Sequence, residues 1–348
     1  MFDLSVLCLL PGSVPDLGHK ESRIPVLLVQ NPGFQTSYST HSLQRPCSGA
    51  ALDYGSGWDI ILPAGWSMAF WIALVYRGAK AVGLREQRSL AFEAGDLMLP
   101  DRCPDTPSGA EMSSSRAAEL ESAYSRRPPA KRCNYEKMGV VAPFHCPWLQ
   151  LVQGWMHGCE GGQSDELFYC VRDRKSLRLL SAVCAGVVSQ SKSCEWNSSA
   201  VDRSRTLLQY ARAIVKVRVV TFGRGAPTRH SLICLPTKED IPRTSDRKTL
   251  GRGVVEGPTE PVHRKSSNTK ASGLNPVTVL GSTVRPTVGF VVEGGFSHAA
   301  ARGSGVGFVS VQGLKKLLEE KPDPTSSTHV LVRCPHSLQY RLAMLHIV

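Results

Sequence analysis

Four fixed cations stand close together in Arg126-Arg-Pro-Pro-Ala-Lys-Arg-Cys-Asn-Tyr135, around a stiff Pro-Pro pair and closed by an amide and an aromatic ring. Arg carries a planar, permanently charged fork that matches phosphate oxygens, and Lys adds a compact point charge. Pro128-Pro129 favours an extended backbone without intrachain hydrogen bonds, so Arg126, Arg127, Lys131 and Arg132 are expected to be spread along a track. Such a track is suited to holding a polyanion. The same residues also fit a solvated loop or a nuclear-import signal.

Groups that make or break covalent bonds form no recognisable pattern beside it. Isolated His and Asp residues occur, but without a paired-carboxylate, Ser/His/Asp or Cys/His arrangement. The cysteines number eleven and include no Cys-x-x-Cys. His145-Cys146 has no partner at metal-ligand spacing and reads as a packed turn. Cys170, Cys184 and Cys234 sit in apolar surroundings, as reduced buried thiols do, which points to a reducing compartment. Gly303-x-Gly-x-Gly307 has the look of a phosphate loop, yet Gly-Phe-Val continues it as a strand and no nucleotide-type helix opens after it. No catalytic residue, metal or cofactor is expected.

Composition points the same way. The formal net charge of +12, from 41 Lys and Arg against 29 Asp and Glu, favours an acidic partner such as nucleic acid or anionic lipid. A chain of 348 residues suggests about two domains with ample material for a core. Met1 to Leu10 holds an apolar run, but no basic region precedes it and Pro11-Gly12 cuts it short. No other run approaches the ~20 apolar residues of a membrane span, so a soluble protein is expected.

The elements that must position the cations are legible in outline. Arg23 to Gln30 reads as a strand buried on both faces, and Phe34 to Asp53 as a loop or insert. After Pro63, Trp66, Ala69, Phe70, Ala73 and Leu74 recur at three and four, predicting a core helix with Arg77 and Lys80 at its polar exit as weaker contact candidates. Its aromatics beside cations could stack exposed bases, but the aliphatic residues between them favour a core. Ser113 to Arg127 reads as a helix with serine caps, stopped by Pro128. His157 to Asp165 is a Gly-rich linker. Leu167 to Val183 places Leu177, Leu180 and Val183 at helical spacing, with Arg172, Arg174, Lys175 and Arg178 on the rest of the circumference. Ala213 to Val220 alternates into a half-buried strand whose open face carries Lys216 and Arg218, and Ser231 to Pro236 is a second strand. Asp240 to Asn275 is poor in apolar residues and reads as a flexible insert. Val277 to Val348 reads as a compact β-rich unit.

With these residues in view, the chain resembles the processing-of-precursors family, the largest protein subunit of nuclear ribonuclease P and RNase MRP. Ser22-Arg-Ile-Pro-Val-Leu-Leu, Gly57-Trp-Asp through Tyr76-Arg-Gly78, Arg126-Arg-Pro-Pro-Ala-Lys-Arg, Asn134-Tyr135, Ala142-Pro-Phe and Cys146-Pro-Trp148 resemble that family's POPLD region. Ile233-Cys-Leu-Pro-Thr-Lys-Glu-Asp240, Gly289-Phe-Val, Gly307-Phe-Val-Ser and Ser337-Leu-Gln-Tyr-Arg341 resemble its C-terminal domain. The resemblance implies an α+β chain, in which a mixed POPLD-type region precedes a β-rich, barrel-like C-terminal domain similar to that of the aminomethyltransferases. Domain lines are expected at 1–54, 55–155, 156–166, 167–239, 240–276 and 277–348. The family's basic N-terminal region is not seen, Met1 to His19 and Phe34 to Asp53 do not resemble it, and the insert before the C-terminal domain is short, as expected of a truncated isoform or a fragment.

Implied function follows from the family. The protein would be a noncatalytic RNA-binding scaffold of nucleus and nucleolus that stabilises the catalytic RNA. It would thereby support removal of 5' leaders from precursor tRNA, met indirectly, and processing of rRNA precursors. Ribonuclease P RNA, RNase MRP RNA and the other protein subunits of those particles are the expected partners. Arg126, Arg127, Lys131 and Arg132 are the leading phosphate contacts, with Arg77, Lys80 and Arg341 weaker. The alternatives are a folate-type binding protein or enzyme using the C-terminal barrel, and a module that docks only protein subunits.

Overall fold

The computed structural model describes residues 24–32, 56–156, 167–185, 210–241, 256–261, 276–320 and 328–348. They fall into two units, one ending at Leu90 and the other running from Ala91 to Val348. The features expected of Met1–His19, Phe34–Asp53 and the 157–166 linker lie outside the described residues.

In the first unit, β1 (Leu27–Pro32) and β2 (Ser56–Ile61) pair antiparallel, from Leu27 opposite Ile61 to Pro32 opposite Ser56. The expected strand buried on both faces is therefore corrected. Among the described residues no further strand pairs with this two-stranded ribbon, and Leu27 and Leu28, which point to opposite faces, are 58% and 55% exposed. Helix α1 (Ser67–Tyr76) follows a turn at Pro63–Gly65 and stops where Gly78, at φ 92°, takes the left-handed position that suits glycine after a helix end. The expected core helix is corrected as well, since none of its residues is buried and Tyr76 is 71% exposed. Its three-and-four spacing still marks the less exposed stripe of Trp66, Ala69, Phe70 and Ala73.

Helix α2 (Leu84–Glu93) leads to a loop and then to α3 (Pro107–Ser125). The latter begins six residues before the expected Ser113. Thr106 accepts the Gly109 N–H at 3.2 Å and Pro107 occupies the first turn, which together make a stronger start than the serines. After a 3-10 turn at Pro129–Lys131, the chain passes through α4 (Trp148–Met156), β3 (Tyr169–Cys170) and α5 (Arg174–Ala185). Then come β4 (Ala213–Thr221), β5 (Leu232–Cys234), β6 (Glu256–Thr259), α6 (Pro276–Gly281), β7 (Thr287–Ser297), β8 (Arg302–Ser310), α7 (Val311–Glu319), β9 (His329–Arg333) and β10 (Gln339–Ile347).

Six of these strands, in the order β4, β8, β7, β5, β9 and β10, close back onto β4 with every pairing antiparallel, so the second unit holds a closed barrel. β3 lies parallel to the start of β4, and β6 pairs with the start of β10. The presence of β6 corrects part of the expected flexible insert, because Glu256–Thr259 is a strand and Glu260 beside it is buried. The barrel also reaches back beyond Val277, taking β4 and β5 as two of its staves.

Alternation along the strands feeds two hydrophobic clusters. Val215, Val217, Val219, Val330 and Val332 join α5 and α7 through Leu180, Leu314 and Leu317. Ile214, Phe290, Phe308, Leu331 and Leu342 join Leu97, Val140 and α4, whose Trp148 meets the Phe290 and Phe308 rings edge-on at 5.7 and 5.6 Å. On this second face the expected open cationic strand is corrected. Arg218 is 4% exposed, and Lys216 is half-buried and ion-paired with Asp96. The Arg218 guanidinium donates to the Ser304 and Ser297 hydroxyls and to the Glu93 carbonyl, at 3.1, 3.2 and 3.0 Å. The Glu93 carboxylate in turn accepts from Ser297 Oγ and His298 N. The segment after Ala91 is thus joined to the barrel by buried, hydrogen-bonded charge.

Candidate nucleic-acid interface

Helix α3 delivers the basic residues at its C-terminus, where the last carbonyls lack partners within the helix and their dipoles attract cations. Arg126 is the C-cap and Arg127 donates its N–H to the Tyr124 carbonyl at 3.1 Å. Pro128 then has the extended backbone expected of it, at φ −55° and ψ 143°, but the chain does not continue as a stretched track. The Lys131 N–H returns to the Pro128 carbonyl at 2.9 Å and the Arg132 N–H to the Pro129 carbonyl at 3.2 Å, which curls Pro129–Lys131 into a 3-10 turn. The expected extended spacing is corrected to a compact turn that bunches the cations.

The turn is anchored from below. Tyr124 Oη donates to the Cys133 carbonyl at 2.7 Å, and the Tyr124, Tyr135 and Phe144 rings meet one another with centroids 5.4 to 5.7 Å apart. Arg126, Arg127, Lys131 and Arg132 are all exposed. Arg126 Nε donates to the Ser122 carbonyl at 3.3 Å, while Arg132 donates to the Arg127 and Ser125 carbonyls and lies 5.9 Å from the Tyr124 centroid. Among the described residues no carboxylate pairs with any of the four. Positive charge is therefore gathered on a braced turn without internal neutralisation, an arrangement suited to phosphates. Lys137, which sequence reasoning missed, adds an exposed cation just beyond. Its N–H donates to Asn134 Oδ1 at 3.0 Å, and the signal for that turn was the Asn three residues earlier.

The remaining candidates sit elsewhere. Arg77 is the exposed C-cap of α1, with Lys80 close behind it, both in the first unit, whereas the Arg126–Arg132 turn belongs to the second. Arg341 lies on β10, half-buried, with Nε donating to the Arg224 carbonyl at 3.0 Å and its guanidinium packed against Gly225. Of the basic face expected around residues 172 to 178, Arg172 is bound to Asp105, and Arg174, Lys175 and Arg178 are exposed on α5.

Among the described residues, burial holds several thiols and imidazoles in their neutral forms. Burial raises the Cys146 and Cys170 thiols and pushes Cys234 up to about 12, which leaves them protonated and weakly nucleophilic at neutral pH. Burial also lowers His145 and brings His230 down to about 4, although the His230 Nδ1–H donates to the Pro143 carbonyl at 3.0 Å. Among the described residues no three His, Cys, Asp or Glu side chains converge to hold a metal ion, and no helix is long and apolar enough to cross a membrane.

A helical segment carrying the RRPPAKR turn, followed by a closed antiparallel barrel, is the arrangement of two family domains in tandem. The POPLD (NUC188) domain matches residues 57–148, and the POP1 C-terminal domain matches 213–275 and 270–348. The chain belongs to the POP1 family. It is 30% identical over 97% of its length to the human ribonucleases P/MRP protein subunit POP1, and 26% identical over 74% of its length to the Caenorhabditis elegans subunit popl-1. A shorter stretch, 22% of the chain, is 42% identical to the Arabidopsis thaliana POP1 subunit. The chain spans 43% of the human protein's length, 30% of the nematode's and 9% of the plant's.

Proposed function

We propose that the chain is a noncatalytic RNA-binding scaffold of ribonuclease P and RNase MRP. It stabilises the catalytic RNA of each particle and so supports tRNA 5'-leader removal and rRNA precursor processing. The observation that carries the reading is the braced turn at Arg126, Arg127, Lys131 and Arg132, whose charge no described carboxylate answers. Arg77, Lys80 and Arg341 are weaker contacts, with Arg341 also holding the loop at Arg224. The names of the relatives supply the particle, and the excess of 12 positive charges supplies the affinity for its RNA. Precursor tRNA is met indirectly, other protein subunits of the particles are neighbours, and the site of action is the nucleus and nucleolus.

Crosslinking of the tagged chain in nuclei, followed by sequencing of the attached RNA, tests this. Recovery of the ribonuclease P and RNase MRP RNAs, with crosslinks at the 126–132 turn, is expected. Recovery of the same protein partners after complete nuclease treatment, with neither RNA attached, would replace the scaffold reading with one of protein docking alone.

A further inference from the structure

We propose that Arg132 is a positioning residue that folds the turn into the shape presenting Arg126, Arg127 and Lys131, a role that rests on the RNA-binding reading of this turn. The guanidinium of Arg132 is already engaged. Its Nε donates to the Arg127 carbonyl at 2.7 Å and its Nη2 to the Ser125 carbonyl, and these two atoms form one of the two edges with which an arginine can grip a phosphate in bidentate fashion. Its Cζ also lies 5.9 Å from the ring centroid of Tyr124, whose hydroxyl holds the next carbonyl, that of Cys133.

The need for such a residue follows from the sequence. A helix end leaves carbonyls without donors, and Pro128-Pro129 directly after it contributes no N–H to satisfy them. Arg132 reaches back seven and five residues to do so, closing a loop around the proline pair. By contrast, Arg127 and Lys131 spend no side-chain donor on the described residues, and Arg126 spends only Nε. Three cations face outward and the fourth holds them. Lysine is a poor replacement, because its ammonium lacks the fixed planar fork that spans these two carbonyls.

The test uses the full chain, an in vitro transcript of a nuclear ribonuclease P RNA, and the variants Arg132→Lys, Arg132→Ala and the triple Arg126→Ala/Arg127→Ala/Lys131→Ala. Affinity is measured over a salt series, and limited trypsin digestion after Arg126 and Lys131 is timed without RNA. Arg132→Lys is expected to weaken binding about tenfold, as Arg132→Ala does, and to lower the salt slope by more than the ~0.7 to 0.9 of one phosphate contact. Tryptic cleavage of the turn should quicken in both Arg132 variants. If Arg132→Lys binds like the wild type while Arg132→Ala loses about one contact, Arg132 is a direct phosphate ligand and the proposal fails. It fails equally if cleavage is no faster in either variant. Unchanged binding by the triple variant removes the turn from the RNA site and overturns both readings.

Discussion

At the scale of single residues, buried charge fixes how the segment after Ala91 meets the barrel. Arg218 holds two hydroxyls and the Glu93 carbonyl from inside the protein. Replacing Arg218 with Ala strands these acceptors and leaves a cavity. Urea unfolding should show a loss of about 2 to 4 kcal/mol, and a loss within experimental error would mean that the joint is solvated. His230 adds a pH dependence. Burial lowers it from its ordinary 6.5 to about 4, so the unfolded chain takes up the proton first as pH falls. Stability is fully present above 6.5, declines through the window down to about 4, and the decline from this residue is at most about 3 kcal/mol. His230 has φ 62°, a conformation that Asn tolerates, so His230→Asn should fold and flatten the dependence of the urea midpoint between pH 6.5 and 4. An identical slope in the variant would assign the effect to His145 and His346, which burial lowers too. The residue types of Lys216 and Arg218 were plain in the sequence, but their burial was not, because Glu93 and Asp96 reach them from over a hundred residues away.

At the scale of elements, close strand approach explains glycines that chemistry alone would misassign. A Cβ at Gly307 would run into the Phe290 carbonyl oxygen, and one at Gly289 into that of Phe308, where β7 and β8 pair. Gly307→Ala should therefore cost about 2 to 4 kcal/mol and lower the melting temperature, whereas Gly295→Ala, where a Cβ meets open space, should change little. Equal melting temperatures for the two would show that β7 and β8 part easily. That the Gly303–Gly307 run is a strand could be read from Gly-Phe-Val, and β9 and β10 from their apolar runs. Closure of the barrel could not, since it depends on pairing 217–221 with 343–347, and local alternation carries no information about such distant partners. β6 escaped notice because Glu-Gly-Pro-Thr has almost no apolar signal, and its place is set by β10. In α1 the helical spacing was correct while the inferred burial was wrong, because periodicity identifies a face without supplying what covers it.

At the scale of the whole molecule, the chain combines an excess of positive charge with a braced cationic turn. The family was legible in the sequence because motifs such as RRPPAKR and Cys-Pro-Trp are continuous, and the two domain matches agree with them. The compact shape of the turn was not legible, because two prolines also suit an extended chain and the returning hydrogen bonds come from residues after them. Binding driven by this surface should weaken steeply with salt through counterion release. The most direct measurement is the equilibrium affinity of the full chain for a nuclear ribonuclease P RNA transcript from low to physiological salt. It should be made beside a variant with Arg126, Arg127, Lys131 and Arg132 all replaced by Ala. The scaffold reading predicts a steep log-log dependence for the wild type and, for the variant, weaker binding with a slope reduced by about 2 to 3. Superimposable curves, or no affinity of the wild type even in dilute buffer, would contradict it.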